Sequence, residues 1–223
     1  MKKTSKTTWK KAISRSGACV ACVASLAVLG LGSAAVAAAR ADQPMQVVDG
    51  LASQVVAALK DGQLSSEQKR DRIQQIAYTA IDFPTLSKLV LARNYSKFEP
   101  AQRAQFEDEF KQHLSMTYGR NVDNYRNEKV EVLGERPEAH GDVTVQSKIL
   151  RGGGSQDVVV DYRLREKDGQ WKIIDVIIEG VSLVSNFRSQ FQDIVAQGGP
   201  ARLLTLLKEK NASGEPLKAP GVE

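Results

Sequence analysis

The sequence predicts an α+β domain in which several helices pack against an antiparallel sheet of four strands. Three observations predict it. Apolar residues recur at helical spacing from Pro44 to Tyr125, the period drops to two between Lys129 and Glu179, and a helical period returns from Val181. Short Gly- and Asp-containing connections inside the strand block imply consecutive hairpins, and consecutive hairpins make a meander.

Pro44–Lys60 places Val48, Leu51, Val55 and Leu59 on one helical face, and Asp61-Gly62 supplies a stop. Ser65–Ala80 follows with Ile73, Ile76, Ala77 and Ala80 along one face. Asp82-Phe83-Pro84 reads as an N-cap with proline in the first turn, opening a short helix that runs to about Ala92. The longest predicted helix runs from Ala101 to about Tyr125. Its stripe of Phe106, Phe110, Leu114, Tyr118, Val122 and Tyr125 marks one buried face, and Gly119 is its weak point.

The strands are expected at Lys129–Gly134, Asp142–Arg151, Gln156–Arg165 and Gln170–Glu179, with Gly152-Gly153-Gly154-Ser155 and Lys167-Asp168-Gly169 as hairpin turns. In the third, Val158, Val160, Tyr162 and Leu164 share a face, while Asp161, Arg163 and Arg165 take the other. In the fourth both faces are apolar: Trp171, Ile173 and Ile177 on one side, Ile174, Val176 and Ile178 on the other. That strand is expected to be covered on both faces. Gly180 ends the sheet, Val181–Ala196 forms a helix, and Gly198-Gly199-Pro200 separates it from a last helix over Ala201–Lys210. Residues 211–223, rich in Pro, Gly, Ser and charge, read as a disordered tail.

The chain has 31 basic and 26 acidic residues and a net charge of +5, a balance that suggests nucleic acid. Its distribution argues otherwise. Seven of the basic residues and none of the acidic ones lie in positions 1–41, so the remainder carries a net charge of −2 and no nucleic-acid partner is expected. Positions 1–41 have the build of a cleaved export signal: a Lys-rich start, an apolar run from Ala18 to Ala39, and Ala39 and Ala41 before the cut. The run is also about long enough to span a bilayer, but it is largely Ala and Gly and no charged stop-transfer cluster follows. Both cysteines, Cys19 and Cys22, fall inside it, so residues 42–223 must fold on a hydrophobic core without disulfides. An exported protein is therefore expected.

Catalytic signatures are scarce. His113 and His140 sit in different elements and read as surface or edge histidines, and without cysteines or His-rich spacing no metal is expected. The glycine run 152–154 lacks the Lys-Ser/Thr of a phosphate loop and leads into a strand. Asp175 has two readings. One is a catalytic carboxylate in an apolar cavity, as in cone-shaped α+β isomerases; the other is a structural acid bound to backbone or to Arg163 or Arg188. The second is favoured, because only Tyr162 offers itself as a catalytic partner. No enzyme activity and no cofactor are expected.

The apolar faces exceed what one sheet needs, which suggests either a cavity or a dry core. A six-residue strand spans about 17–20 Å and one leaflet of hydrocarbon is half of about 30 Å, so an acyl chain could lie along such a sheet. The segment Trp171-Lys172-Ile173-Ile174-Asp175-Val176-Ile177-Ile178-Glu179-Gly180-Val181-Ser182-Leu183-Val184, followed by Asn186-Phe187-Arg188-Ser189-Gln190-Phe191, resembles the MlaC family of periplasmic phospholipid-binding proteins. Asp82-Phe83, Leu91-Ala92-Arg93, Phe106, Phe110 and Thr117-Tyr118-Gly119-Arg120 resemble the helical half of the same family.

The resemblance spans about Val47 to Lys210 within a lipid-binding domain expected over residues 42–210. It implies an NTF2-like sheet with helices closing an apolar cavity, and a monomeric shuttle for phospholipid acyl chains. Its implied partners are an outer-membrane lipoprotein–porin complex and the MCE-domain subunit of an inner-membrane ABC transporter. The expected lipid-contacting residues are Tyr118, Val122, Val158, Val160, Tyr162, Leu164, Ile173, Ile174, Val176, Ile178 and Leu183. Two alternatives stand beside this reading: a hopanoid-associated carrier of the same family, and an NTF2-like isomerase or lyase.

Overall fold

The computed structural model describes residues 43–119, 125–153 and 155–217. The expected signal peptide, Val122 and residues 218–223 lie outside the described residues. In chain order the helices are α1 (Pro44–Lys60), α2 (Ser66–Ala80), α3 (Phe83–Leu91) and α4 (Pro100–Gly119). The strands β1 (Lys129–Pro137), β2 (Val143–Leu150), β3 (Val158–Lys167), β4 (Gln170–Ile178) and β5 (Val181–Ser182) follow, and α5 (Leu183–Ser213) closes the fold. The sheet is antiparallel throughout and its strands lie in sequence order.

The helix starts follow local chemistry. Ser65 caps α2 by accepting the Gln68 N–H at 3.2 Å while Gln68 Oε1 accepts the Ser65 N–H at 2.8 Å, so two otherwise orphaned donors are satisfied reciprocally. Asp82 caps α3, accepting from the Thr85 N–H at 3.0 Å and from its hydroxyl at 2.7 Å. Burial alone would raise the Asp82 pKa, but the hydrogen bonds from Thr85 and the Lys167 ammonium outweigh it and hold it below the usual value. The break expected near residue 198 is present within α5, where Gly199 has φ 68°, a left-handed conformation that favours glycine, and Pro200 starts the next turn.

Five expectations need correction. The sheet has five strands, because Glu179 (φ 49°) and Gly180 (φ 78°) form a tight turn that returns Val181 and Ser182 beside Ile178 and Ile177. Helix α5 accordingly starts at Leu183, with the Ser182 hydroxyl as its cap. The chain is ordered past residue 211: α5 runs to Ser213, Gly214 closes it with φ 70°, and Leu217 is buried. His113 is fully buried rather than on the surface, where it holds that C-terminal segment in place. Finally, Ile173 shares a sheet face with Val176 and Ile178, not with Ile177.

A β-bulge causes that last change. Leu164 pairs with Ile173 and Arg163 with Asp175, so Ile174 has no partner and the side-chain parity of β4 inverts across it. One face of the sheet therefore gathers Val160, Tyr162 and Leu164 with Ile178, Val176 and Ile173.

Two cores result. All six phenylalanines belong to the first, built from α3, α4, α5 and the adjoining 3₁₀ turn at Ala92–Lys97. Phe110 stands edge-on to Phe187 and Phe191 at 5.0 and 5.4 Å between centroids, which locks α4 on α5. The second core is small: Val48 of α1 sits against Val145, Leu164 and Ile173 of the sheet, with Leu51 and Trp171 around them. Phe110→Ala is expected to cost about 3–5 kcal/mol, seen as a lower urea midpoint with an unchanged denaturant slope.

His113 makes its contacts as a neutral ring. Its Nε2 accepts the Leu217 N–H at 3.2 Å, so Nδ1 carries the proton and donates to Asn211 Oδ1 at 3.1 Å. Burial pushes its pKa below 6.5; the Asn211 bond opposes that shift and the Lys210 ammonium reinforces it. Its contribution is complete above pH 6.5 and is lost as the pH falls toward the lowered folded-state value, because the unfolded chain protonates first. Acidification from about pH 7.5 to about 5.5 should therefore lower the urea midpoint more in the wild type than in His113→Gln.

Candidate functional site

Because the phenylalanine core closes on itself, the sheet face beyond it is left unfilled. A cavity of about 1020 Å³ occupies that space, at the upper end of the range for ligand sites. Its sheet wall is Ile149 of β2, Val160 and Tyr162 of β3, and Val176 and Ile178 of β4. Ile73 and Ala77 of α2, Leu114 and Tyr118 of α4, and Leu183 at the start of α5 form the opposite wall.

The polar groups in the helical wall largely satisfy one another. Gln74 Nε2 donates to the Tyr78 hydroxyl at 2.6 Å, the Tyr78 and Ser115 hydroxyls lie 2.7 Å apart, and Ser115 Oγ donates to the Lys111 carbonyl at 3.0 Å. The Lys111 ammonium lies over the Tyr78 ring, 4.2 Å from its centroid. Burial raises the pKa of the Tyr118 and Tyr162 phenols, which keeps them neutral. The charged lining residues all come from α2 and α4: Glu67, Asp71 and Asp108 are exposed, while Arg70 and Lys111 are half-buried.

Of the residues expected to contact lipid, Tyr118, Val160, Tyr162, Val176, Ile178 and Leu183 line this cavity. Leu164 and Ile173 do not; they are spent in the small core against Val48. Ile174 is fully buried, and with Ile173 it borders a separate void of about 40 Å³ beside Leu86, Val90 and Phe110, room for about one water. Val158 lies on β3 opposite Ile149 but outside the lining. Sequence reasoning missed Ile149, Ile73, Ala77 and Leu114. The β2–β3 register would have found Ile149, since it sets Ile149 across from Val158 and one hairpin step from Val160.

Asp175 stands outside the large cavity. Its carboxylate accepts the Ser182 hydroxyl at 2.6 Å and the Val184 N–H at 3.0 Å, and Arg163 approaches to 3.7 Å. It thus ties β4 to the first turn of α5. Arg188 is not its partner and donates twice to the Leu89 carbonyl, at 3.0 and 2.8 Å. Among the described residues no three His, Cys, Asp or Glu side chains are grouped to hold a metal.

The cavity is thus walled by sheet and helices and is mostly apolar. A family model described as MlaC protein matches residues 49–209. The chain belongs to the MlaC family. It is 28% identical to the toluene tolerance protein ttg2D of Pseudomonas putida over 167 residues, 71% of this chain and 76% of that one. It is 23% identical to the intermembrane phospholipid transport system binding protein MlaC of Haemophilus influenzae over 123 residues, 54% of this chain and 58% of that one. A phospholipid-binding protein from Ralstonia solanacearum, solved in complex with a phospholipid, superposes with a TM-score of 0.70 at 28% identity. That match covers 78% of this chain and 99% of the other.

Asp175→Ala should destabilise the fold by about 1.5–3 kcal/mol, the cost of losing hydrogen bonds to a charged acceptor. Its thermal midpoint should fall while the folded fraction keeps whatever ligand the large cavity holds; a folded variant stripped of ligand would bring Asp175 back into the site.

Proposed function

We propose that this protein is a phospholipid carrier of the periplasm, which takes acyl chains into the cavity between the sheet and helices α2 and α4. The observation that carries the reading is the cavity itself: about 1020 Å³ of mostly apolar space in a family member similar to a protein solved with phospholipid bound. The physical demand of the task fits. Each methylene withdrawn from water is worth about 0.8 kcal/mol, so two chains of about fourteen methylenes need about 22 kcal/mol of apolar burial. A mostly apolar lining of aliphatic and aromatic side chains suits this demand without any catalytic group.

In this reading residues 1–41 are the export signal and the domain is an NTF2-like cone. The family resemblance supplies the route: between an outer-membrane lipoprotein–porin complex and the MCE-domain subunit of an inner-membrane ABC transporter. The presence of Arg70 and Lys111 beside the acidic side chains of α2 and α4 suits a phosphate-bearing headgroup left at the mouth of the cavity.

Mass spectrometry of an organic extract from protein purified without detergent tests the proposal, and stoichiometric phospholipid is expected. A folded protein that carries none and takes up none when it is added would end the carrier reading. Val160→Asp should lower retention at least tenfold while export persists, because an ionised carboxylate in the apolar wall costs several kcal/mol. Val176→Trp should reduce the number of bound chains by filling the cavity, and an unchanged chain count would remove β4 from the wall.

A further inference from the structure

A second cleft, of about 690 Å³, lies on the opposite face of α2, between α1, α2 and the start of β4. Its chemistry is the reverse of the apolar cavity's. Arg72 and Lys172 line it and no carboxylate does, while Gln46, Gln54, Gln75 and Gln170 contribute carboxamides. Such a cluster concentrates positive potential in a recess bounded by apolar groups, the setting that attracts an anion. Each carboxamide both donates and accepts, which matches hydroxyl groups.

Two further observations point to an occupant. The Lys172 ammonium is fixed, donating to the Thr79 carbonyl at 2.9 Å, which leaves two N–H groups for a ligand. Half-buried Trp171 packs partly against the small sheet core and also lines the cleft, where its ring can meet the apolar face of a carbon skeleton.

We infer that this cleft binds phosphorylated polyols, with the phosphate on Arg72 and Lys172, the hydroxyls on the glutamine carboxamides and the carbon skeleton against Trp171. Helix α2 separates it from the lipid cavity, so it is a second site rather than part of the first. A free sugar phosphate and a phosphoglycerol headgroup on a lipid surface share this chemistry.

The full chain carrying Trp9→Phe leaves Trp171 as its sole tryptophan, so its fluorescence reports on the cleft directly. Titration with glucose 6-phosphate at low salt should give a saturable change, and glucose should bind at least tenfold more weakly. Arg72→Gln and Lys172→Gln should each weaken binding by about tenfold, the loss for one charge-assisted hydrogen bond. A response to phosphatidylglycerol vesicles but not to glucose 6-phosphate, abolished by the same substitutions, assigns the site to a lipid headgroup. A response to neither probe overturns the proposal, as does one that survives both substitutions in folded protein.

Discussion

The phenylalanine cluster is the interaction on which the rest of this structure depends. By closing α3, α4 and α5 into a core of their own, it frees the fold from having to fill the space above the sheet. Edge-to-face contacts among Phe106, Phe110, Phe187 and Phe191 give that core a fixed geometry as well as buried area. A protein without disulfides in its described residues can then leave a large cavity open, because its stability is invested elsewhere. The C-terminal segment completes the same core through Leu217, which is bonded to His113.

The bulge at Ile174 divides the sheet into two territories. Beyond it, Val176 and Ile178 continue the face of Val160 and Tyr162 and form cavity wall. Before it, Ile173 joins Leu164 beneath α1 and forms core. Asp175, immediately after the extra residue, accepts the Val184 N–H and the Ser182 hydroxyl and so fixes where α5 leaves the sheet. A carboxylate that resembles a catalytic residue in sequence is the joint between sheet and helix.

Helix α2 is a partition. Ile73, Gln74, Ala77 and Tyr78 face the apolar cavity, whereas Arg72, Gln75, Ile76 and Thr79 face the polar cleft. Its helical period therefore sorts two chemistries to opposite sides of a single element. The hydroxyl contact between Tyr78 and Ser115 joins this partition to α4, and Lys172 joins its other face to β4.

Local chemistry was legible in the sequence: the Ser65 and Asp82 caps, the break at Gly199, the Asp168-Gly169 hairpin and the alternation in β3 each depend on a few neighbouring residues. The family pattern over Trp171–Phe191 was legible for the same reason. Which apolar residues bound empty space was not. Val160 and Leu164 have the same chemistry and parity on one strand, and only the placement of α1 over one and not the other makes Leu164 core and Val160 wall. His113 was misread because its partners, Asn211 and Leu217, lie about a hundred residues away and meet it only when the chain has closed. Sequence by itself determined the elements, since their signals are periodic and short-ranged; tertiary structure alone decided cavity against core, because a void is defined by what fails to reach it from the rest of the chain.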